Sequence, residues 1–155
     1  MTRPSMVLRL AVVPGVAVAA LAVTASPRAP SSAAPTVTVY KSASCGCCSK
    51  WIERLRKAGF TVEAFDTEDL AGVMTTMGVP GRLASCHTAR VGNYVIEGHV
   101  PDDLIKQLLA EHPALAGLAV PGMAPGSPGM EGPGAQHYDV IAWDREGRTT
   151  VYARR

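Results

Sequence analysis

The chain has 155 residues, of which 47% are hydrophobic and 18% are charged, with 15 basic and 13 acidic side chains. This length and apolar content suit one globular domain and exclude a second full one. The near balance of charge offers no electrostatic surface for nucleic acid or for anionic membranes, so we exclude both as partners.

The first 25 residues have the pattern of a secretory signal. Arg3 and Arg9 precede an apolar run over 10–23, and Thr24-Ala25 supplies the small residues that signal peptidase requires. The run is shorter than the roughly 18 residues that cross a bilayer, so a permanent anchor is the weaker reading. We predict a signal peptide at 1–25, no stable membrane span after its removal, and export to the periplasm.

The segment that follows predicts a linker at 26–36, because its prolines stand among serines and alanines without periodicity. The folded domain is expected at 37–155. Val37, Val39 and Tyr40 indicate a short first strand. Apolar residues at helical spacing then predict a helix that begins at Cys45 and ends at Gly59, which suits a C-cap.

The next elements alternate in type. Apolar and polar residues alternate over 60–65, which predicts a half-buried strand, and helical spacing over 70–77 predicts an amphipathic helix. Short extended runs flank Gly92-Asn93, a residue pair typical of a hairpin turn. A third helix is expected to open at Pro101.

The C-terminal third has two parts. Residues 117–135 are rich in Gly and Pro and carry the repeat Pro-Gly-Met, so we predict an irregular loop. Extended runs at 138–143 and 149–152 predict a terminal hairpin, which either extends the sheet or covers the functional site.

The order strand, helix, strand, helix, hairpin, helix, with a CxxC at the first strand-to-helix junction, is the thioredoxin arrangement. Cys45 and Cys48 supply the CxxC. Pro80 stands just before the hairpin, where that superfamily has a cis-proline. We therefore predict a thioredoxin-like α/β domain with a mixed sheet, a Gly/Pro/Met loop and a C-terminal hairpin.

The cysteines carry the clearest chemistry. Cys45, Cys47 and Cys48 lie at a helix N-terminus, where the helix dipole and unpaired amides favour the thiolate. An oxidoreductase needs only the CxxC pair, whereas an extra thiolate suits a soft ion, chiefly Cu(I) or Zn²⁺. With Cys86 the chain has enough sulfur to bridge more than one Cu(I).

Two other interpretations of the same cysteines remain open. An exported chain meets an oxidising compartment, so two structural disulfides are one alternative. Because bridging the neighbours Cys47 and Cys48 is strained, two pairings are sensible. The other alternative is a thiol–disulfide oxidoreductase with Cys45 as nucleophile and Cys48 as resolving thiol.

Four other side chains are candidate helpers of the cysteines. His87 is a candidate ligand or hydrogen-bond donor to one, and the thioethers of Met123 and Met130 are soft enough for Cu(I). His99 is a weaker candidate that lines the site from the far strand of the hairpin. Each of these has an ordinary surface or loop role as its alternative.

Six motifs in one order resemble the CopG-type periplasmic copper-resistance proteins, a metal-binding branch of the thioredoxin-like superfamily. The resemblance as a whole covers about residues 36–143, nearly the whole predicted domain. The motifs are CGCC at 45–48 with Trp51, GVP at 78–80, SCHTA at 85–89, YVIEGHVP at 94–101, GLAVPGM at 117–123 and GSPGME at 126–131.

This resemblance implies copper resistance through Cu(I) bound by thiolates, with a change of copper oxidation state as a candidate activity. Its partners would be copper ions and other periplasmic copper-handling proteins. It also implies that the Gly/Pro/Met loop is a lid. The ligands that it implies are Cys45, Cys47, Cys48 and Cys86, with His87, Met123 and Met130 as helpers.

Overall fold

A computed structural model describes residues 34–155, so the predicted signal and all but the end of the predicted linker lie outside the described residues. This part of the chain is a mixed α/β domain. Its strands are β1 (Thr36–Lys41), β2 (Thr61–Asp66), β3 (His87–Val91), β4 (Tyr94–Glu97), β5 (Gly117–Ala119), β6 (Asp139–Trp143) and β7 (Thr149–Arg154). Its α-helices are α1 (Gly46–Lys57), α2 (Leu70–Thr76) and α3 (Asp102–Glu111), and Gly81–Leu83 forms a 3₁₀ turn.

The seven strands form one mixed sheet in the order β2-β1-β3-β4-β5-β6-β7. β1 runs parallel to β2 and antiparallel to β3, and β4 runs parallel to β5. The hairpins β3–β4 and β6–β7 are antiparallel. The predicted order of the first elements is confirmed, and the C-terminal hairpin extends the sheet.

The main core lies between the sheet and the apolar faces of α1 and α3. Trp51, Ile52 and Leu55 are buried from α1, at the helical spacing that the sequence predicted. Gly59, with φ of 94°, ends that helix as expected, because glycine adopts the left-handed region without strain. This packing fixes α1, and with it the CxCC motif, against the sheet.

A smaller core on the other face includes Val95, Ala119 and Trp143, with Met74 and Met77 packed at its margin. Neither methionine is fully buried, and no residue of α2 is. β2 lies at the edge of the sheet, so it is mostly exposed rather than half-buried as predicted. No helix within residues 34–155 is both long and apolar enough to cross a membrane.

Two predictions for the chain beyond α2 were wrong. Gly117–Ala119 is a strand between β4 and β6, not irregular loop, because Gly117 has no side chain and so fits against the Val95 carbonyl and the Trp143 ring. Three residues are too few to display the alternation that identifies a strand. Pro80 is not a cis-proline, since all peptide bonds among the described residues are trans, the form that X-Pro bonds intrinsically prefer.

Candidate metal centre

The CxCC motif is placed by the junction of β1 with α1. Cys45 N–H donates to the Ser42 carbonyl, and Cys45 is the N-cap residue, from which α1 begins at Gly46. Cys45 makes no side-chain cap, and the first turn has no acidic residue. The first-turn amides and the helix dipole therefore favour negative charge on the nearby sulfurs.

Cys86 comes to the same place from the segment after Pro80. Glu97 is fully buried, and its carboxylate accepts hydrogen bonds from Ser85 N–H and the Thr88 hydroxyl, each at 2.7 Å. Burial raises the pKa of Glu97 to about 7, although both hydrogen bonds oppose that shift. These contacts hold the residues on either side of Cys86.

The structure brings all four cysteines together. Their sulfur atoms lie within 4.8 Å of one another, although Cys86 is 38 residues from Cys48 in sequence. Cys48 is buried, whereas Cys45, Cys47 and Cys86 are half-buried. An ion can therefore reach the cluster from the side of these three sulfurs.

The cysteines are in two different states. Cys45 and Cys48 form a disulfide, and Cys47 and Cys86 are free thiols. Cys47 belongs to the first turn of α1, yet its sulfur lies only 3.6 Å from that of Cys45. The alternative with two structural disulfides is not what the structure contains.

Burial and then the neighbouring Cys47 raise the pKa of Cys86 to about 11. The free Cys86 thiol is therefore protonated near neutral pH. A bound cation would take the place of that proton, since thiolate is the form that ligates metals.

Two fully buried histidines adjoin Cys86. His99 Nε2 lies 3.0 Å from Cys86 Sγ, and His87 Nδ1 lies 3.5 Å from it. Burial lowers the pKa of both imidazoles, that of His87 to about 3 with a further contribution from His99. Both rings are neutral at physiological pH and can offer a lone pair.

His99 was a weak candidate from sequence, although the hairpin register contains the signal for it. Thr88 pairs with Glu97 across β3 and β4. Extending that register by two residues along each strand puts Cys86 opposite His99. Once the hairpin turn is placed at Gly92-Asn93, counting the strand pairs away from that turn therefore predicts the contact between Cys86 and His99.

The Gly/Pro/Met loop reaches the site through its backbone. The Pro128 carbonyl accepts a hydrogen bond from His99 Nδ1 at 2.6 Å. A Cβ on Gly129 would lie 2.8 Å from the Cys47 carbonyl oxygen, so only glycine permits this approach to α1. Among the predicted helpers, Met123 is 57% exposed and Met130 is half-buried.

Comparisons with known proteins relate the chain to one family model and to two solved structures. A family described as "Protein of unknown function, DUF411" matches residues 83–130. A solved structure described as "Copper resistance protein copG- Form 2" is 39% identical, with a TM-score of 0.75 over 79% of this chain and 98% of that chain. The "Form 1" structure of the same protein is 40% identical, with a TM-score of 0.73 over 77% and 96%.

No curated protein matches the chain. The two solved structures nevertheless share more than a third of their residues with it over nearly their whole length. With a cluster of four cysteines and two histidines in the same domain, the chain belongs to the CopG family of copper resistance proteins.

Proposed function

We propose that this chain is an exported periplasmic protein of copper resistance that holds Cu(I) through cysteine thiolates. The observation that carries the proposal is the convergence of four sulfur atoms within 4.8 Å from two separate segments. Thiolates are the ligands that select Cu(I). Four thiolates this close together are able to bridge more than one copper ion.

Cys47 distinguishes a metal centre from a plain dithiol. A CxxC exchange reaction uses two thiols, whereas Cys47 adds a third sulfur 3.6 Å from Cys45. Copper binding by all four sulfurs requires reduction of the Cys45–Cys48 disulfide, which takes up two electrons. We therefore assign the copper-loaded state to the reduced protein.

The same dithiol supports a change of copper oxidation state. Closing the Cys45–Cys48 disulfide from two thiolates releases two electrons, which reduce two Cu²⁺ to two Cu⁺. Cys47 and Cys86 remain as thiols after that step. Other periplasmic copper-handling proteins are the proposed source and recipient of the ion.

We also propose that the domain belongs to the thioredoxin-like superfamily. Its support is the order of β1, α1, β2, α2, β3, β4 and α3 together with the CxxC at the start of α1. β1 and β2 are parallel and β3 is antiparallel to both. The trans bond before Pro80 is the feature that departs from the expected pattern.

A thiol–disulfide oxidoreductase is the second candidate, and the closed Cys45–Cys48 bond favours it. Such an enzyme would reduce insulin, would lose activity on Cys45→Ser, and would keep it on Cys47→Ala. Metal-free reduced protein that reduces no disulfide substrate removes this candidate.

The copper proposal is tested on reduced protein loaded with Cu(I) without oxygen and freed of excess metal. We expect at least one copper per chain and sulfur coordination in X-ray absorption spectra. Cys47→Ala should lower the copper content, whereas Ser49→Ala, an exposed change in the same helix turn, should not. Unchanged copper content in Cys47→Ala would show that this thiol is not a ligand.

A further inference from the structure

A second set of donor atoms adjoins the four-sulfur cluster and includes both buried histidines. One ligand atom from each of Cys48, Cys86, His87 and His99 lies within 4.8 Å of the others. Cys48 is unavailable while it is bonded to Cys45. The disulfide form therefore retains one thiol and two imidazoles at this place.

The distances suit simultaneous coordination. A tetrahedral ion about 2.3 Å from sulfur and about 2.0 Å from nitrogen separates the two donors by about 3.5 Å. Cys86 Sγ lies 3.5 Å from His87 Nδ1 and 3.0 Å from His99 Nε2. Of these two separations, only the one between Cys86 Sγ and His99 Nε2 must widen, by about half an ångström. A small rotation of the half-buried Cys86 side chain supplies this change.

His99 is oriented as a metal-binding histidine is. Its Nδ1–H donates to the Pro128 carbonyl at 2.6 Å, which leaves the Nε2 lone pair directed at Cys86 Sγ. A ligating imidazole commonly gives its other N–H to a backbone carbonyl, and that bond fixes the tautomer. Pro128 is thus a positioning residue for His99.

His87 is held without a full set of hydrogen bonds. Its ring is completely buried and packs on Trp51 with centroids 4.3 Å apart, and Trp51 is itself held by the Val100 carbonyl. His87 Nε2 has no hydrogen-bond partner among the described residues. The neutral ring therefore carries its proton on either nitrogen at similar cost, and the tautomer protonated at Nε2 presents the Nδ1 lone pair to the cation beside Cys86 Sγ.

We propose that Cys86, His87 and His99 form a mixed thiolate–imidazole site for a borderline divalent cation, Cu²⁺ or Zn²⁺, which persists while the Cys45–Cys48 disulfide is closed. One thiolate with two imidazoles is a donor set that both ions accept. An all-sulfur set suits Cu(I) or Zn²⁺, so the two imidazoles are the donors that extend the choice to Cu²⁺. The inference does not require Cu(I) at the four-cysteine cluster, with which it shares Cys86.

Co²⁺ is the probe, because it reports four-coordinate thiolate binding optically and does not oxidise thiols. The full exported protein is prepared with the Cys45–Cys48 disulfide closed and two free thiols, checked by alkylation and mass. We expect one Co²⁺ per chain, with a thiolate-to-metal charge-transfer band and visible ligand-field bands. No such band in the disulfide form would overturn the proposal.

His99→Ala should weaken Co²⁺ binding by about a hundred-fold or more, because loss of a hydrogen-bond partner of a ligand alone costs about 10–100-fold and His99 is itself a proposed ligand. His112→Ala, at an exposed histidine at the end of α3, should leave it unchanged. Equal Co²⁺ affinity in the His99→Ala and His112→Ala variants would contradict the proposed thiolate–imidazole site. Loss of the buried His87 ring would endanger folding, so its coordination is tested in the unaltered protein. There, NMR spectra of the Co²⁺ form should show strongly shifted imidazole protons from His87.

Zn²⁺ and Cu²⁺ are then added in turn to the Co²⁺ form of Cys47→Ser, which has no second free thiol to oxidise. Displacement of one equivalent of Co²⁺ by either ion supports the site, and the tighter ion is its occupant. Binding that appears only after reduction would overturn this inference and leave the Cu(I) proposal intact. Co²⁺ binding by the disulfide form, with no Cu(I) binding by the reduced form, would support this inference and overturn the Cu(I) proposal.

Discussion

Cys86 and His99 face each other just beyond the last paired residues of the β3–β4 hairpin, with Sγ and Nε2 3.0 Å apart. The hairpin therefore delivers one sulfur and one nitrogen to the start of α1, where the other three sulfurs lie. Because strand pairing fixes this contact, the relative position of the two donors is set by the fold and not by a flexible loop.

Gly129→Ala tests whether the Gly/Pro/Met loop must lie against α1. An added Cβ would meet the Cys47 carbonyl at 2.8 Å and Trp51 N at 3.1 Å, at a φ of 89°. We expect the loop to move, the Pro128–His99 hydrogen bond to break, and Cu(I) and Co²⁺ affinity to fall about ten-fold or more.

The matched control is Gly134→Ala, which has a φ of 94° but no atom within 4 Å of its Cβ. Both variants carry the backbone cost of about 1–2 kcal/mol for a left-handed residue. Competition with a Cu(I) chelator and thermal unfolding separate the two effects. Equal metal affinity in the two variants would show that the loop contact does not support the site.

Glu97→Ala tests how the Cys86 segment is held. The change leaves the part-buried Ser85 N–H and the buried Thr88 hydroxyl without their acceptor. Each unsatisfied buried donor costs about 1–3 kcal/mol, so we expect urea unfolding at a clearly lower midpoint and weaker Cu(I) binding.

Glu97→Gln keeps one acceptor oxygen and should recover most of the loss, while Glu63→Ala on the exposed edge strand should change little. If Glu97→Ala and Glu63→Ala unfold at the same urea concentration, Glu97 does not hold this segment.

The sequence predicts most of the fold because its helices and hairpins carry their own local signals. Trp51, Ile52 and Leu55 identify the buried face of α1, and Gly92-Asn93 identifies the first hairpin turn. Gly117–Ala119 was missed because a strand of three residues has no period, and its place in the sheet depends on β4 and β6.

The site was predictable where its donors are side chains of a rare type. Three closely spaced cysteines and Cys86 are conspicuous in any sequence. The roles of Pro128 and Gly129 were not predictable, since one acts through a carbonyl oxygen and the other through the absence of a side chain. Both depend on which segments meet in space.

The proposed export to the periplasm predicts a processed N-terminus. The predicted signal at 1–25 should be removed after Ala25, because the small residues at 24–25 follow an apolar run. Intact mass of the protein recovered from the periplasm should correspond to a chain that begins at Ser26. Replacing Ala25 with a bulky residue, as in Ala25→Trp, should slow processing. Recovery of the uncut chain from cells that express the unaltered protein would contradict the prediction.

Copper uptake should depend on the state of one disulfide. Protein purified in air should present two alkylatable thiols, Cys47 and Cys86, and four after reduction. Because reduction frees the sulfurs of Cys45 and Cys48, the reduced protein should hold more Cu(I) per chain when both forms are equilibrated with the same chelator-buffered Cu(I). Thiol counts and metal analysis of the same samples measure both quantities. Equal Cu(I) content in the two forms would mean that the CxxC sulfurs are not ligands, and Cys47 and Cys86 would then account for all the copper bound.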